Sequence, residues 1–468
     1  MTAHFPSGVS NFKSDPTVAL VRNVIHPLWV KTAHPAYTRY LREFQRNEYL
    51  RPEELRDLQM QRLRQQLMHA YRYVPFYRLR MNEAGVTPLD IQTPEDLRLL
   101  PVVTRTDIQK HQDLMVSSNV PSAKRLRNQT PGSTGSPLPF YIDKERVDSR
   151  LASSARFDQW AGLRPGDWYA HLWGPRAGAI EKSETRPAWK KKLLDRDLTL
   201  ITTSATDESM AEYAEVLRRH RPRHMLAYAQ SAVMFADFCN RNGIRDLAFE
   251  SMIISAQLLS DTDRSLLEDV FGGKVFNRYV CREVNVIASE CEAHSGLHVD
   301  ADALLVEVEP SPLLPASMGR VLVTDLLNRS MPLIRYEIGD VASLNAAAEC
   351  SCGRSLPLMG AIQGRISDLA HVAGGRKTTA QTTTSGQATM SEAGHGQVAR
   401  ATPRHMLEIV AGAGYAGETR EPAWTVQRRS EARAELMIVP VQSGAADASG
   451  KQGFGDKSGP EVAISTAI

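Results

Sequence analysis

The segment Gln129-Thr-Pro-Gly-Ser-Thr-Gly-Ser-Pro137 sets glycines among hydroxyl side chains just ahead of the apolar-aromatic run Leu138 to Tyr141. Gly132 and Gly135 let backbone N–H groups approach an anion with no Cβ in the way, and Ser133 and Thr134 can donate to charged oxygens. This is the chemistry of a polyphosphate cradle. No lysine closes the segment as in a GxxxxGK[ST] loop, and an ordinary surface turn has the same composition. Residues further along the chain decide between them. "FNRYVCREV" places Tyr279 at a strand end with Glu283 four residues on, and "RYEIGD" places Asp340 after a short strand-like run. A planar ring can stack on a base, one carboxylate can hold Mg²⁺ against phosphate oxygens, and another can accept both hydroxyls of a ribose. Arg365, after a glycine in "IQGRISD", can reach ribose or phosphate from a strand end. Singly, each residue also fits a structural role; their order behind a phosphate-type loop points to a nucleoside triphosphate.

A second set of residues asks for a metal. Of the five cysteines, Cys239 and Cys281 lie in apolar sequence as core or pocket-wall residues, whereas Cys291, Cys350 and Cys352 lie in polar, turn-like sequence. With His298, in "ECEAHSGLH", they form a Cys₃His set suited to tetrahedral zinc; His294 competes for the imidazole position. Four protein ligands close such a site, so it is structural, and a zinc hydrolase is disfavoured. No G-x-S-x-G elbow supports a serine hydrolase, and His171, in "WYAHLWG", reads better as a core residue than as a pocket wall.

These residues need a scaffold. The chain of 468 residues carries 56 basic against 53 acidic side chains, too even a balance for a polyanion partner, so nucleic-acid binding is unsupported. No window resembles a signal peptide or a membrane span, which predicts a cytoplasmic protein with no membrane partner. Apolar residues at three and four spacing predict helices over 35–85, ended by Gly85, and Thr93 and Thr104 read as helix caps. From 125 to 340 strands alternate with helices, an α/β pattern that gathers ligands beyond strand ends, and "ALLVEVE", "GRVLVTDLL" and "MPLIRYEIGDVASL" add a mixed or antiparallel sheet. Beyond Asp368 large apolar residues become scarce, which reads as linker, with "HMLEIVAG" and "RAELMIVPVQ" as two strands of a thin C-terminal unit. The expected division is a helical entry region (1–120), a nucleotide- and substrate-binding core with a zinc subsite (121–365), a hinge and low-complexity linker (366–405), and a small atypical C-terminal region (406–468).

Taken in order, the loop, "ISAQLL", "YVCREV", "LVTDLLNRSMPLIRYEIGD", "CSCGR" and "GRISD" resemble the phenylacetate–coenzyme A ligase and capsular-polysaccharide CapK branch of the adenylate-forming (AMP-binding) enzymes. The likeness runs over about residues 55–370 and includes "AYRYVPFYR" and "LPVVTRTDI". It implies a large multi-layer α/β N-terminal domain with mixed sheets and a small α+β C-terminal domain, here degenerate. It also implies activation of an organic, aryl carboxylic acid by ATP and Mg²⁺ to an acyl-adenylate, then transfer to coenzyme A or to another amine or thiol acceptor. Carried onto this chain, Gly132, Ser133, Thr134 and Gly135 match the ATP phosphate loop, Tyr279 the adenine-facing ring, Glu283 the magnesium-linked carboxylate, Asp340 the ribose ligand and Arg365 the hinge-side arginine. Thr134, Glu283 and Arg365 are then the catalytic set, and Cys291, His298, Cys350 and Cys352 match a structural zinc site. A homodimer is one assembly it allows.

The chain also departs from that pattern. Pro131 replaces a serine, Gln257 a glutamate and Val280 a glycine, the last setting a β-branched side chain beside the expected adenine slot. Lys451 lacks the G-K-x-x-R-like context of the lysine that contacts the forming adenylate. These departures keep open a second reading, a degenerate member that acts as a binding or scaffold protein in a biosynthetic pathway.

Overall fold

A computed structural model describes residues 15, 17–130, 137–173, 196–202, 205–256, 258–312, 314–344 and 349–366, with short strands beyond. Pro131, the loop residues Gly132, Ser133, Thr134 and Gly135, and Gln257 and Lys451 lie outside the described residues.

The entry layer is helical. Two short helices, α1 (Thr17–Leu20) and α2 (His26–Ala33), flank a π turn, and α3 (Tyr37–Asn47), α4 (Pro52–Tyr73) and α5 (Pro75–Glu83) follow. In α3, Tyr37, Tyr40 and Phe44 recur at helical spacing and are buried against Ala152 of a later helix. In α4, Leu63, Leu67 and Ala70 face a large core shared with the strands that carry the carboxylates. Gly85, at φ +65°, ends this run as its composition predicts. Thr93 caps a 3₁₀ turn through Asp96, and Thr104 caps α6 (Arg105–Met115) through Asp107.

The core begins with a hairpin, β1 (Arg125–Gln129) with β2 (Pro139–Asp143), and then α7 (Lys144–Trp160). An eight-stranded sheet is built on β3 (Tyr169–Trp173), β4 (Asp197–Ile201), β5 (His224–Tyr228), β6 (Ser251–Ser255) and β7 (Lys274–Cys281), all parallel to one another. The crossovers among the later strands are α8 (Asp207–His220), α9 (Ala229–Arg241) and α10 (Asp261–Phe271). Leu217, Phe235 and Phe271 bury one face of each helix on the sheet, the arrangement that parallel strands require. The sheet then turns antiparallel through β8 (Asn285–Glu290) and β9 (Leu297–Val299). A separate antiparallel sheet holds β10 (Leu304–Pro310), β11 (Met318–Asp325) and β12 (Tyr336–Ser343). The chain returns to the edge of the first sheet at β13 (Leu358–Met359) and to the edge of the second at β14 (Ile362–Arg365).

Beyond Ile366 the described residues form three two-stranded antiparallel ladders and no helix. Strands at Glu408–Val410 and Arg433–Met437 fall within the two predicted runs, but each pairs with a different segment, Gln397–Ala399 and Ala423–Gln427 respectively. Gln397–Ala399 and Lys377–Thr378 lie in sequence read as linker, because composition alone carries no record of pairing partners. Among the described residues no helix is long and apolar enough to cross a membrane.

His224 on β5 is 1% exposed, with Nδ1 2.8 Å from Ser251 Oγ and Nε2 3.9 Å from Asp167 Oδ2. Burial, with the charge of Arg223 second, pushes its pKa down to about 4. The unfolded chain takes up this proton near pH 6.5, so stability falls as pH drops through the window from about 6.5 to 4, by on the order of 3 kcal/mol in full. Melting temperatures of the wild type should therefore drop more between pH 7.5 and 5 than those of His224→Gln; equal drops would contradict this assignment.

Candidate functional site

The two sheets meet at three side chains. Tyr279, near the end of β7, donates its hydroxyl to Asp340 Oδ2 at 2.7 Å. Asp340 and Arg365 face each other across the β12–β14 ladder, and Arg365 Nε lies 3.3 Å from Asp340 Oδ1. Burial, then the neighbouring Asp340 charge, raises the Tyr279 phenol well above the usual tyrosine range, so it remains a donor.

Beside this group, Glu283 stands in the turn between β7 and β8. It is 8% exposed, and its Oε1 accepts a hydrogen bond of 3.1 Å from Tyr336, a wholly buried residue that opens β12. Burial, then the Glu283 charge, raises the Tyr336 phenol in the same way. Burial, then the charge of Glu283, pushes the Cys281 thiol well up, so it stays neutral.

The Glu283 turn is held from behind by α7. Arg146 reaches Val284 O at 3.1 Å and Asp325 Oδ2 at 2.9 Å. Arg150 donates to Glu283 O, and at 3.4 Å to Arg282 O. Asn285, at φ +82°, donates in the other direction through Nδ2, 3.0 Å from Arg150 O. Burial, then the charge of Arg146, lowers the Arg150 pKa to about 10, leaving it cationic at neutral pH. Neither Arg146 nor Arg150 is marked by a sequence motif, and within "RYEIGD" the motif singles out Asp340 and not Tyr336. The only signal is arginine at positions 146, 150 and 156 amid Ser149, Ala152 and Ser153, small residues that leave room for a guanidinium on an inward face.

The phosphate-type loop leaves β1 and returns to β2 through a closed base. Thr130 N donates to Leu138 O and Leu138 N to Thr130 Oγ1, each at 3.0 Å.

The Cys₃His residues converge at the edge of the large sheet. The ligand atoms of Cys291, His298, Cys350 and Cys352 all lie within 4.8 Å of one another, with Cys291 Sγ 3.5 Å from Cys350 Sγ and Cys352 Sγ 3.4 Å from His298 Nε2. Bonds of about 2.0–2.3 Å to a tetrahedral ion set donors roughly 3.4–3.8 Å apart, so the spacing fits such an ion. His298 Nδ1 lies 2.7 Å from Leu356 O, which leaves Nε2 as the lone-pair donor, and burial lowers the imidazole pKa against the pull of that carbonyl. The N–H groups of Ala293 and Arg354 point at the sulfurs of Cys291 and Cys352, each at 3.4 Å. His294, the competing imidazole, instead pairs with Glu290 at 3.3 Å and packs on Phe276.

One expectation is corrected. Val280 does not crowd the Tyr279 side of β7: strand alternation turns it to the opposite face, where it packs with Trp160, Val286 and Cys291. His171 is a core residue, 2% exposed and 3.6 Å from Asp197 on the neighbouring strand.

No family model matches the chain. The sequence is similar to phenylacetate-coenzyme A ligase of Thermus thermophilus, 29% identical over 339 residues that span 70% of this chain and 74% of that one. It is also similar to the phenylacetate-coenzyme A ligase of Escherichia coli, 25% identical over 69% of this chain and 74% of that one. Protein CapK of Staphylococcus aureus is 24% identical over 54% of this chain and 55% of its own length. A solved structure of 2-hydroxyisobutyryl-CoA ligase in the postadenylation state superposes with a TM-score of 0.63 at 22% identity, covering 78% of this chain and 79% of that chain, which establishes a shared fold. The fold is that of the adenylate-forming ligases, a large N-terminal α/β domain with mixed sheets followed by a smaller C-terminal one. The chain is thus similar in sequence to these ligases over about two thirds of its length and shares the fold of the solved one.

Arg354, two residues after Cys352, ties the Cys₃His knuckle to the entry layer. It pairs with Glu48 at 3.0 Å and Glu292 at 2.9 Å and stacks 4.5 Å over the Trp160 ring. Removing one partner of a largely buried pair strands the other charge. Arg354→Ala should lower the unfolding free energy by roughly 2–4 kcal/mol in chemical denaturation. A loss below about 0.5 kcal/mol, the scale of a surface pair, would contradict the clamp.

Proposed function

We propose that this chain activates an aryl carboxylic acid with ATP to an acyl-adenylate and passes the acyl group to coenzyme A. The observation that carries this reading is the meeting of Tyr279, Asp340 and Arg365 beside Glu283 at the junction of the two sheets. Tyr279 offers its ring to adenine, Asp340 its carboxylate to the ribose hydroxyls, and Arg365 a donor to ribose or phosphate. Gly132, Ser133, Thr134 and Gly135 receive the phosphates. The choice of an aryl acid and of coenzyme A is supported by the phenylacetate-coenzyme A ligases among the similar sequences.

The chemistry suits these groups. A carboxylate is a weak nucleophile approaching an anionic phosphorus, so alignment and charge neutralisation do more than proton abstraction could. Glu283, pinned by Tyr336, would hold Mg²⁺, which neutralises phosphate oxygens when bound. Cys291, His298, Cys350 and Cys352 would hold zinc in a closed site that stabilises the fold and takes no part in the reaction. On this reading residues 121–365 form the nucleotide- and substrate-binding core, 366–405 the hinge and 406–468 the small C-terminal domain.

ATP–pyrophosphate exchange across a panel of aryl, amino-aryl and short aliphatic acids tests the reading. Exchange should depend on one acid class and fall roughly 10- to 100-fold or more in Asp340→Ala, the scale of a lost charged hydrogen bond. Tight ATP binding without exchange for any acid would favour the binding-protein reading. For the metal, the wild type should carry one zinc per chain, and Cys352→Ser should lose both the zinc and several degrees of melting temperature; full thermal stability without metal would oppose a structural role.

A further inference from the structure

The Cys₃His knuckle holds two sulfurs that can bond to each other as well as to a metal. Cys291 directly follows β8 and is wholly buried. Cys350 is half-buried in a turn, between the exposed Glu349 and Ser351. Their sulfurs stand 3.5 Å apart, so closing to the roughly 2.05 Å of a disulfide takes a shift of about 1.5 Å. The third sulfur is more heavily engaged. Cys352 Sγ accepts the Arg354 N–H at 3.4 Å and lies 3.4 Å from His298 Nε2. A link from Cys350 to Cys352 would also close a tight ring through Ser351 alone, across the turn in which Gly353 N donates to Cys350 O.

The knuckle is mechanically joined to the rest of the large domain. Cys291, Cys350 and Cys352 pack in one cluster with Val280 of β7, Trp160 of α7 and Leu356. The adjacent Tyr279 reaches Asp340 from the other face of β7 at 2.7 Å. Arg354, just past Cys352, stacks 4.5 Å over the Trp160 ring. A close-packed interior transmits small displacements, so movement of these sulfurs reaches both β7 and α7.

We propose that Cys291 and Cys350 form a reversible disulfide when a peroxide reaches the knuckle, which releases the metal and loosens β7 as a redox switch. The inference rests on the zinc reading of this site. Cys350, the more exposed of the two, attacks one peroxide oxygen as its thiolate; the O–O bond breaks, hydroxide leaves and is protonated to water, and Cys350 becomes a sulfenic acid. The Cys291 thiolate then attacks the Cys350 sulfur, the S–O bond breaks, and the second hydroxide leaves as water. Two electrons pass from the sulfurs to the peroxide and two protons are consumed. Cys291 and Cys350 are thereby withdrawn from the metal, and His298 with Cys352 alone does not make the four-ligand set of a structural site. A dithiol reductant returns both thiols.

The test treats the metal-loaded full chain with hydrogen peroxide and follows zinc with a chromogenic chelator, free thiols by alkylation and the linkage by peptide mass spectrometry. Zinc should leave in proportion to the loss of a pair of thiols per chain, with a single link, Cys291 to Cys350, while Cys239 and Cys281 stay reduced. Hydrogen exchange within β7 should rise severalfold on oxidation, and dithiothreitol with zinc should reverse every change. A Cys350–Cys352 link, sulfinic acid without any link, zinc retained under excess peroxide, or unchanged exchange in β7 would each overturn the proposal. If the chain binds no zinc, the zinc reading fails separately and the metal-free chain still decides: a Cys291–Cys350 link that forms with peroxide and raises exchange in β7 supports the switch. Any other pairing, or none, overturns it.

Discussion

The site depends on a set of guanidinium groups buried on one helix. Arg146, Arg150 and Arg156 project from α7 into the interior, and Arg146 and Arg156 are each 1% exposed or less on the side chain. An unpaired charge there would be prohibitive, so each must find carboxylates or carbonyls in a fixed geometry. Arg156 finds Asp300 and Asp302, Arg146 finds Asp325 and Val284 O, and Arg150 finds the carbonyls of Arg282 and Glu283. The carbonyls of Arg282, Glu283 and Val284 form the turn that presents Glu283, while Asp300 and Asp302 follow β9 and Asp325 ends β11, so the cost of burying the charges ties that turn to α7 and to both sheets.

That anchor sets the rest of the cleft. The β7–β8 hairpin places Tyr279 on one face, toward Asp340, and Val280 on the other, toward Cys291. One strand thereby joins the Asp340–Arg365 junction to the Cys₃His knuckle. The knuckle in turn is fastened to the α3–α4 junction by Arg354 and by Ser355, whose N–H donates to Glu48 O at 2.8 Å. The helical entry layer is therefore not a passive cover: through Val103 it registers the carboxylate strand, and through Glu48 it braces the metal-ligand edge.

Much of this was legible from residue order. The helices over 37–83 reflect Tyr37, Tyr40, Phe44, Leu63 and Leu67 at helical spacing, and the caps at Thr93 and Thr104 announce themselves by acids three residues on. Tyr279, Glu283 and Asp340 are readable because rigid strand ends hold them and short motifs surround them. The residue order sets His298 with the three cysteines and leaves His294 as a competitor; which imidazole lies beside the sulfurs turns on the β9–β13 pairing, and that imidazole is His298. Arg146 and Arg150 were not readable, since their partners lie far away in sequence and a buried arginine runs against the pattern by which polar residues are read as exposed. The C-terminal ladders were legible only in part: two of their strands fall within runs read as strands, but pairing is a property of two segments, and Lys377–Thr378 and Gln397–Ala399 lie in sequence that alone looks like linker.

A carboxylate bound at this junction should attack the α-phosphorus of ATP, and its own oxygen should then stay with AMP. The most direct measurement supplies an accepted acid labelled with ¹⁸O in its carboxylate, together with ATP and coenzyme A, and tracks the label by mass spectrometry. One ¹⁸O in the AMP released per turnover, with none in pyrophosphate, is the result predicted. Label in inorganic phosphate with ADP as the co-product, or nucleotide turnover with no transfer of label, would contradict it.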